Sequence, residues 1–233
     1  MRILHVSTRL ILGGSQENTV LSCEGQSRLG HEVHLAFGPI YGPEGSLLER
    51  VEAFNARCSA GAERATPITT HVVPHLVREV SPVADHVCFH HELKPLVRRL
   101  RPDVVHTHSS KAGILGRWAA WAVGNGLPAR ERPAVVHTIH GPPFMPVEGA
   151  PACRAKVRAA NLAYTLAERF AAKRCHTIVS VADAMTTQFL ARGIGRPERY
   201  ITVRSGMDTH AFLHAAPGED RAAMRAALGL SVN

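Results

Sequence analysis

Short runs rich in Val, Ile, His and Thr recur along the whole chain, and stretches with helical spacing separate them. This alternation is the strongest constraint on the fold. β-rich runs joined by helical connections form βαβ units, whose strands lie parallel in one sheet. The strand-length runs are residues 2–7, 32–37, 70–73, 103–107, 134–139, 175–181 and 200–203. Between them, 15–29 reads as a helix ending at Gly30, 83–100 as one ending before Pro102, and 111–123 as one ending before Gly124. Residues 154–174 put Val157, Ala160, Tyr164, Ala167 and Ala171 on one helical face. A further helix over 182–191 ends at Gly193, and a short one is expected over 220–228. Two irregular stretches, 58–69 and the proline-rich 141–151, should be loops. The second follows a strand end directly, and open parallel sheets bind ligands beyond the carboxyl ends of their strands.

Composition removes whole classes of alternative. A chain of 233 residues with 45% hydrophobic and 20% charged residues buries a real core and is neither disordered nor low in complexity. No apolar run approaches the roughly 20 residues of a membrane-spanning helix, and residues 3–6 are too brief for a signal-peptide core. A cytoplasmic protein is expected. The five cysteines, Cys23, Cys58, Cys88, Cys153 and Cys175, are odd in number and form no C-x-x-C pair, so neither a disulfide framework nor a zinc ribbon is expected. The net charge is +8, and residues 150–204 hold ten basic against three acidic residues. Such a surplus suits phosphorylated ligands, an anionic membrane or nucleic acid, and is also what solvated helix faces produce. Nucleic acid is disfavoured, because aromatics are only 5% and none interleave with the basic stretches as stacking platforms.

Four constellations sit where strands end. Gly13, Gly14 and Ser15 follow the first strand and open a helix, where free N–H groups and the positive dipole end attract a phosphate. The turn is equally compatible with a plain tight connection in which Ser15 caps the helix. It is not the G-x-G-x-x-G dinucleotide fingerprint, since no third glycine follows and no acidic residue ends the second strand. His106 and His108 are two apart in a strand and point to the same side. With no third ligand nearby in sequence, a ligand-facing polar lip that includes Ser109 is expected rather than a metal site. His140 stands where a buried strand breaks into the loop beginning Gly141-Pro142-Pro143, and its imidazole can donate to a sugar hydroxyl or a phosphate, titrate near neutral pH, or merely satisfy a loop backbone group. Last, Ser205, Gly206, Met207 and Asp208 form a turn after the final strand.

The order and spacing of these pieces resemble the N-terminal domain of the family 4 retaining glycosyltransferases, enzymes of GT-B architecture with two facing Rossmann-like domains. The segments that carry the likeness are RILHVSTRLILGGSQ, LGHEVHLAFGP, RPDVVHTHSSKAGILGRWAA, VVHTIHG, ERFAAKRCHTIVSVADAM and YITVRSGMD, in the family's order from Arg2 to Asp208. The resemblance implies a Rossmann-like three-layer α/β/α domain with a mainly parallel sheet over residues 1–214. Residues 215–233 would begin the connection to a C-terminal domain. It also implies an enzyme that transfers a hexosyl-type sugar from a nucleotide-sugar donor to a sugar or lipid-linked acceptor with retention of anomeric configuration.

Residue by residue, the resemblance puts Gly13, Gly14 and Ser15 beside the donor diphosphate and acceptor, and His140 with Gly141 at the donor sugar, His140 being the expected catalytic contact. His108 and Ser109 would line the acceptor side. Ser205 and Gly206 stand in the family's N-G-V-D loop, with Ser in place of Asn. Glu17 is the one carboxylate near the Gly-Gly loop, which a nucleotide-sugar 2-epimerase of the same architecture would use. A module that binds carbohydrate or nucleotide without chemistry is the other alternative. No cofactor and no metal is expected, because in this family the departing diphosphate accepts the acceptor's proton. The family's donor-binding domain should begin just after the segment AALGL, three residues before the chain ends, so the chain is expected to be either a fragment or one half of a split polypeptide with a separately encoded C-terminal domain, and nearly inactive alone. Two pairs at E-x7-E spacing, Glu24 with Glu32 and Glu44 with Glu52, fall in the wrong domain to be that domain's motif. The basic surplus fits peripheral contact with the inner face of a membrane.

Overall fold

In the computed structural model, residues 1–41, 43–148, 150–209, 213–214 and 220–231 are described. Seven strands form one sheet: β1 (Arg2–Ser7), β2 (Glu32–Phe37), β3 (Thr69–Val72), β4 (Val104–His108), β5 (Ala134–Ile139), β6 (Thr177–Ser180) and β7 (Tyr200–Thr202). Their spatial order is β3-β2-β1-β4-β5-β6-β7 and every pairing is parallel. Each parallel crossover needs a connection over a face of the sheet, and the helices supply it. They are α1 (Gly14–Arg28), α2 (Leu48–Ser59), α3 (Pro82–Val87), α4 (Lys94–Leu100), α5 (Ser110–Gly124), α6 (Pro151–Ala172), α7 (Asp183–Ala191) and α8 (Arg221–Ala227).

The two faces of the sheet are covered separately, which makes the three layers. Val33, Leu35 and Phe37 of β2 pack with Val20 and Cys23 of α1 and Val51 and Phe54 of α2. Leu4 and Val6 of β1, Ala36 of β2 and Val105 of β4 point the other way, into a larger core with Ala112, Leu115 and Ala119 of α5. The alternation along each strand decides this division, because successive side chains leave opposite faces. Close seating of α5 needs its glycines: a Cβ on Gly113 would come within 2.5 Å of the His137 ring, and one on Gly116 within 2.7 Å of Thr107.

The expected Rossmann-like α/β fold is observed, with differences at particular elements. The expected loop at 58–69 begins two residues later, because α2 runs to Ser59. Its buried seam, Leu47, Val51 and Phe54 with Cys58 alongside, has the i, i+4, i+7, i+11 spacing of a helix, a signal present in the sequence. The expected single helix over 83–100 is interrupted at Cys88–Leu93 by π-helical winding. Pro95 explains the break, since it has no N–H to return to the preceding turn. α6 starts inside the expected loop, with Pro151 at its first position, where a missing N–H costs nothing. The turn-rich stretch 215–218 lies outside the described residues, and α8 follows with Asp220 accepting from the Ala223 N–H at 2.8 Å. No helix among the described residues is long and apolar enough to cross a membrane. The five cysteines are free thiols.

Much of the basic surplus over 150–204 turns out to be tied down. Arg199 donates to the carbonyls of Ala172 and Cys175, Arg169 to that of Arg192, and Arg174 lies over the rings of Trp121 and Phe170. Arg154, Lys156 and Arg158 at the start of α6 remain exposed.

Candidate functional site

β1 and β4 are neighbours, yet the chain leaves them toward opposite faces of the sheet, β1 into α1 and β4 into α5. Such a switch point opens a crevice at the carboxyl ends of the strands. Both helices begin at that end, and Thr8, just past β1, ties α5 to the end of β2: its hydroxyl accepts from the Ala112 N–H at 3.2 Å, while its carbonyl accepts from the Gly38 N–H at 3.1 Å.

Gly13 stands just before α1 with an extended backbone (φ 178°), a conformation any residue adopts. Neither conformation nor crowding within the chain calls for glycine here, and the turn stands open. A Cβ on Gly14 would meet nothing within 4 Å, and one on Gly13 would meet only the end of the Gln16 side chain, at 2.8 Å. The first closed bond of the helix runs from the Glu17 N–H to the Gly13 carbonyl, 2.8 Å, so the earlier N–H groups have no carbonyl within the helix. They present the positive end of α1 to the crevice. Ser15 is not the helix cap that the sequence suggests: Gly13 holds that position, and the Ser15 hydroxyl donates to Gln16 Oε1 at 2.7 Å. Glu17 is half-exposed and stands 3.9 Å from Arg50.

A cluster of imidazoles forms the floor beside the crevice. His106 and His108 do share a side of β4, as their spacing demands, with ring centroids 4.3 Å apart. A third imidazole, His5 of β1, comes from the neighbouring strand in register with His106. Its Nδ1 lies 2.9 Å from His108 Nε2, and its Nε2 lies 2.7 Å from Gln26 Oε1 of α1. His108 Nδ1 in turn lies 3.1 Å from Nε2 of His140, just past β5, and His106 Nε2 lies 2.7 Å from the Thr138 hydroxyl. Sequence spacing misses His5 because it sits 103 positions from His108; the only signal is a histidine inside an apolar strand.

Burial sets the charge of this cluster. Loss of hydration pushes His5 and His140 down to about 4. The same loss, reinforced by neighbouring imidazoles, holds His106 and His108 well below the ordinary range. His140 therefore does not titrate near neutral pH, contrary to one of the readings of its sequence position. Ligand nitrogens of His5, His106 and His108 lie within 4.8 Å of one another, a spacing a divalent ion can bridge. The His5–His108 hydrogen bond would have to open for it, since an ion needs the lone pair of both nitrogens.

Ser109, between β4 and α5, has φ 65° and ψ 167°, a region that glycine occupies almost alone. Its carbonyl accepts from the Gly113 N–H at 2.8 Å, so the turn aims the start of α5 at the crevice. Beyond His140, a Cβ on Gly141 would meet nothing within 4 Å, which leaves that side open. Ser205 and Gly206 are exposed and follow β7 at the far edge of the sheet, away from the imidazoles. Two residues on, Asp208 lies close enough to Arg50 to add to the effect of Glu24 and Glu17 in raising that guanidinium's pKa. The segment thus leads back toward α1 and α2.

Beneath the opposite face, Thr107 and His137 form a second polar layer, with the Thr107 hydroxyl 3.0 Å from His137 Nδ1. Arg117 and Glu168 are wholly buried there and paired at 2.6 Å, tying α5 to α6. Loss of hydration, then the nearby Arg117 charge, keep His137 neutral. Three of the four glutamates at E-x7-E spacing serve other ends: Glu24 holds Arg50 at 2.8 Å, Glu32 holds Arg2, and Glu44 pairs with Arg9.

The chain is 32% identical over 143 residues to the UDP-Gal:alpha-D-GlcNAc-diphosphoundecaprenol alpha-1,3-galactosyltransferase of Escherichia coli, a match covering 61% of this chain and 33% of that protein. Its fold is similar to a glycosyltransferase from Rickettsia africae (TM-score 0.56, 15% identity, 91% of this chain and 44% of the other). It is also similar to the lipopolysaccharide outer core galactosyltransferase WaaB in its apo form (TM-score 0.50, 11% identity, 89% of this chain and 46% of the other). The chain thus matches a third of the E. coli protein and less than half of each solved structure. The profile of Glycosyltransferase Family 4 matches residues 12–211, from the Gly-Gly turn to beyond β7, and the chain belongs to that family.

Proposed function

We propose that the chain forms the acceptor-side half of an enzyme that moves a hexosyl group from a nucleotide sugar to an acceptor hydroxyl with retention of anomeric configuration. The observation that carries this reading is the convergence of three features at the ends of β1, β4 and β5. They are the open first turn of α1 at Gly13 and Gly14, the strained start of α5 at Ser109, and His140 with the open flank of Gly141. A helix N-terminus suits a diphosphate, and a neutral imidazole suits an uncharged sugar hydroxyl. In the reaction, the bond from the anomeric carbon to the diphosphate oxygen breaks. The bond to the acceptor oxygen forms on the same face, and the acceptor's proton passes to the departing diphosphate. Charge on that leaving group is met by the N–H groups of α1, so the step as read calls for no metal.

In this reading Gly13, Gly14 and Ser15 face the phosphates, His140 and Gly141 the donor sugar, and His108 with Ser109 the acceptor. Ser205 and Gly206 lie on the path to a second Rossmann-like domain, contiguous or separately encoded, that binds most of the nucleotide. Residues 1–214 are the folded half and 215–233 the start of the connection. A lipid-linked acceptor fits α6, where Arg154, Arg158, Leu162, Leu166 and Phe170 recur every four residues and are all exposed. Such a basic and apolar stripe favours peripheral contact with an anionic membrane face.

The test is to pair the chain with a donor-binding domain of the family and assay UDP-, GDP- and ADP-sugars. The expected result is transfer with the donor's anomeric configuration kept, no transfer by the chain alone, and a loss of about 10²–10³ in kcat on His140→Ala, the scale of one lost transition-state contact. Inverted product, or full activity in His140→Ala, overturns the reading.

A further inference from the structure

Gln26, His5, His108 and His140 form a continuous line of hydrogen bonds from α1, across one face of the sheet, to the rim of the crevice. The successive distances are 2.7, 2.9 and 3.1 Å. The rings meet edge to edge: centroids 5.2 and 5.4 Å apart, with interplanar angles of 14° and 30°, leave the nitrogens in line between them. A neutral imidazole has one N–H and one lone pair, so each ring that accepts on one side must donate on the other. The line consequently has a direction, and the group at its α1 end decides it. Gln26 presents Oε1, which can only accept, to His5 Nε2. That puts the His5 proton on Nε2 and leaves Nδ1 to accept from His108 Nε2–H. His108 Nδ1 then accepts from His140 Nε2–H.

We infer that Gln26 is a positioning residue that sets the tautomer of His140 from a distance, holding its proton on Nε2 and leaving Nδ1 as a hydrogen-bond acceptor. Among the described residues no protein group bonds that Nδ1. It is therefore suited to an uncharged hydroxyl that donates, and unsuited to a phosphate oxygen, which has no proton to give. With the chain polarised the other way, the same nitrogen would carry a proton and favour the phosphate. The identity of this ligand hydroxyl rests on the reading of His140 as a donor-sugar contact; the tautomer does not, so the two fail separately.

The experiment is long-range proton–nitrogen NMR of the histidine rings in the 233-residue chain, which separates protonated from unprotonated ring nitrogens without any ligand. His5, His108 and His140 are expected in the Nε2–H form, at His140 by about tenfold over the alternative, as one directed hydrogen bond provides. Gln26→Glu, which can only accept, should keep all three in that form. Gln26→Met, of similar length and without an acceptor, should leave His140 a mixture of both forms. His140 found with its proton on Nδ1 in the unaltered chain overturns the inference. So does an unchanged His140 tautomer in folded Gln26→Met, because the direction would then come from elsewhere. If Gln26→Met does not fold, the unaltered chain and Gln26→Glu decide the matter alone.

Discussion

Acidification should unfold this protein by way of its buried imidazoles. His5, His106, His108, His137 and His140 are kept neutral by folding, first through loss of hydration. In the unfolded chain each titrates near its ordinary value of about 6.5. The native pKa values are depressed, so between about 6.5 and about 4, the range set by His5 and His140, the unfolded state binds more protons and stability falls as pH falls. Moving from about pH 7.5 to about pH 5.5 costs about 1.3 kcal/mol for each imidazole held neutral, and five together cost about 6 kcal/mol. That is a large part of the roughly 5–15 kcal/mol that a domain has in total. Urea unfolding followed by circular dichroism reads it directly. With m near 2–3 kcal/mol/M, the midpoint should drop by about 2–3 M over this interval at constant m. A slope equivalent to one proton or less, about 1.4 kcal/mol per pH unit near pH 5.5, would refute the reasoning, since the cluster would then accept protons while folded.

Two further substitutions probe other parts of the scaffold. Glu168→Leu strands the buried Arg117 guanidinium, whose Nη1 already has no partner, and should destabilise by about 3–5 kcal/mol in the same urea assay; a loss under 1 kcal/mol, about the worth of a surface pair, would show the pair to be solvated. Ser109→Gly relieves a positive φ of 65° at the mouth of the crevice and should raise stability by about 1 kcal/mol, strain relief outweighing glycine's entropy cost; a fall in the thermal midpoint would show that the Ser109 side chain stabilises the turn.

The sequence makes the sheet legible because its inner strands are largely buried on both faces and read as β-rich runs, and because Gly30, Pro102 and Gly193 mark the places where helices stop. It conveys less about what happens within a helix: Pro95 forces π winding two turns into a segment whose apolar spacing is otherwise helical. The candidate site is legible where it is local. Gly13-Gly14, His106-x-His108 and His140-Gly141 are each a few residues long and each ends or follows a strand, so parallel topology brings them to one edge. His5 and Gln26 escape because their roles exist only once β1 lies beside β4 and α1 packs over β1. Ser109 escapes for a different reason, as nothing in a serine announces a backbone that glycine would adopt more easily.

The most direct test of the proposed function is amide shift mapping of the 233-residue chain with UDP-galactose added at millimolar concentration, where the acceptor-side half proposed above should still bind weakly. Saturable shifts are expected at Gly13, Gly14, His140 and Gly141, with smaller ones at Ser109. Shifts that leave these residues unmoved and gather instead at the apolar cavity of about 450 Å³ between α5 and α6, lined by Ile114, Leu115 and Tyr164, would contradict it.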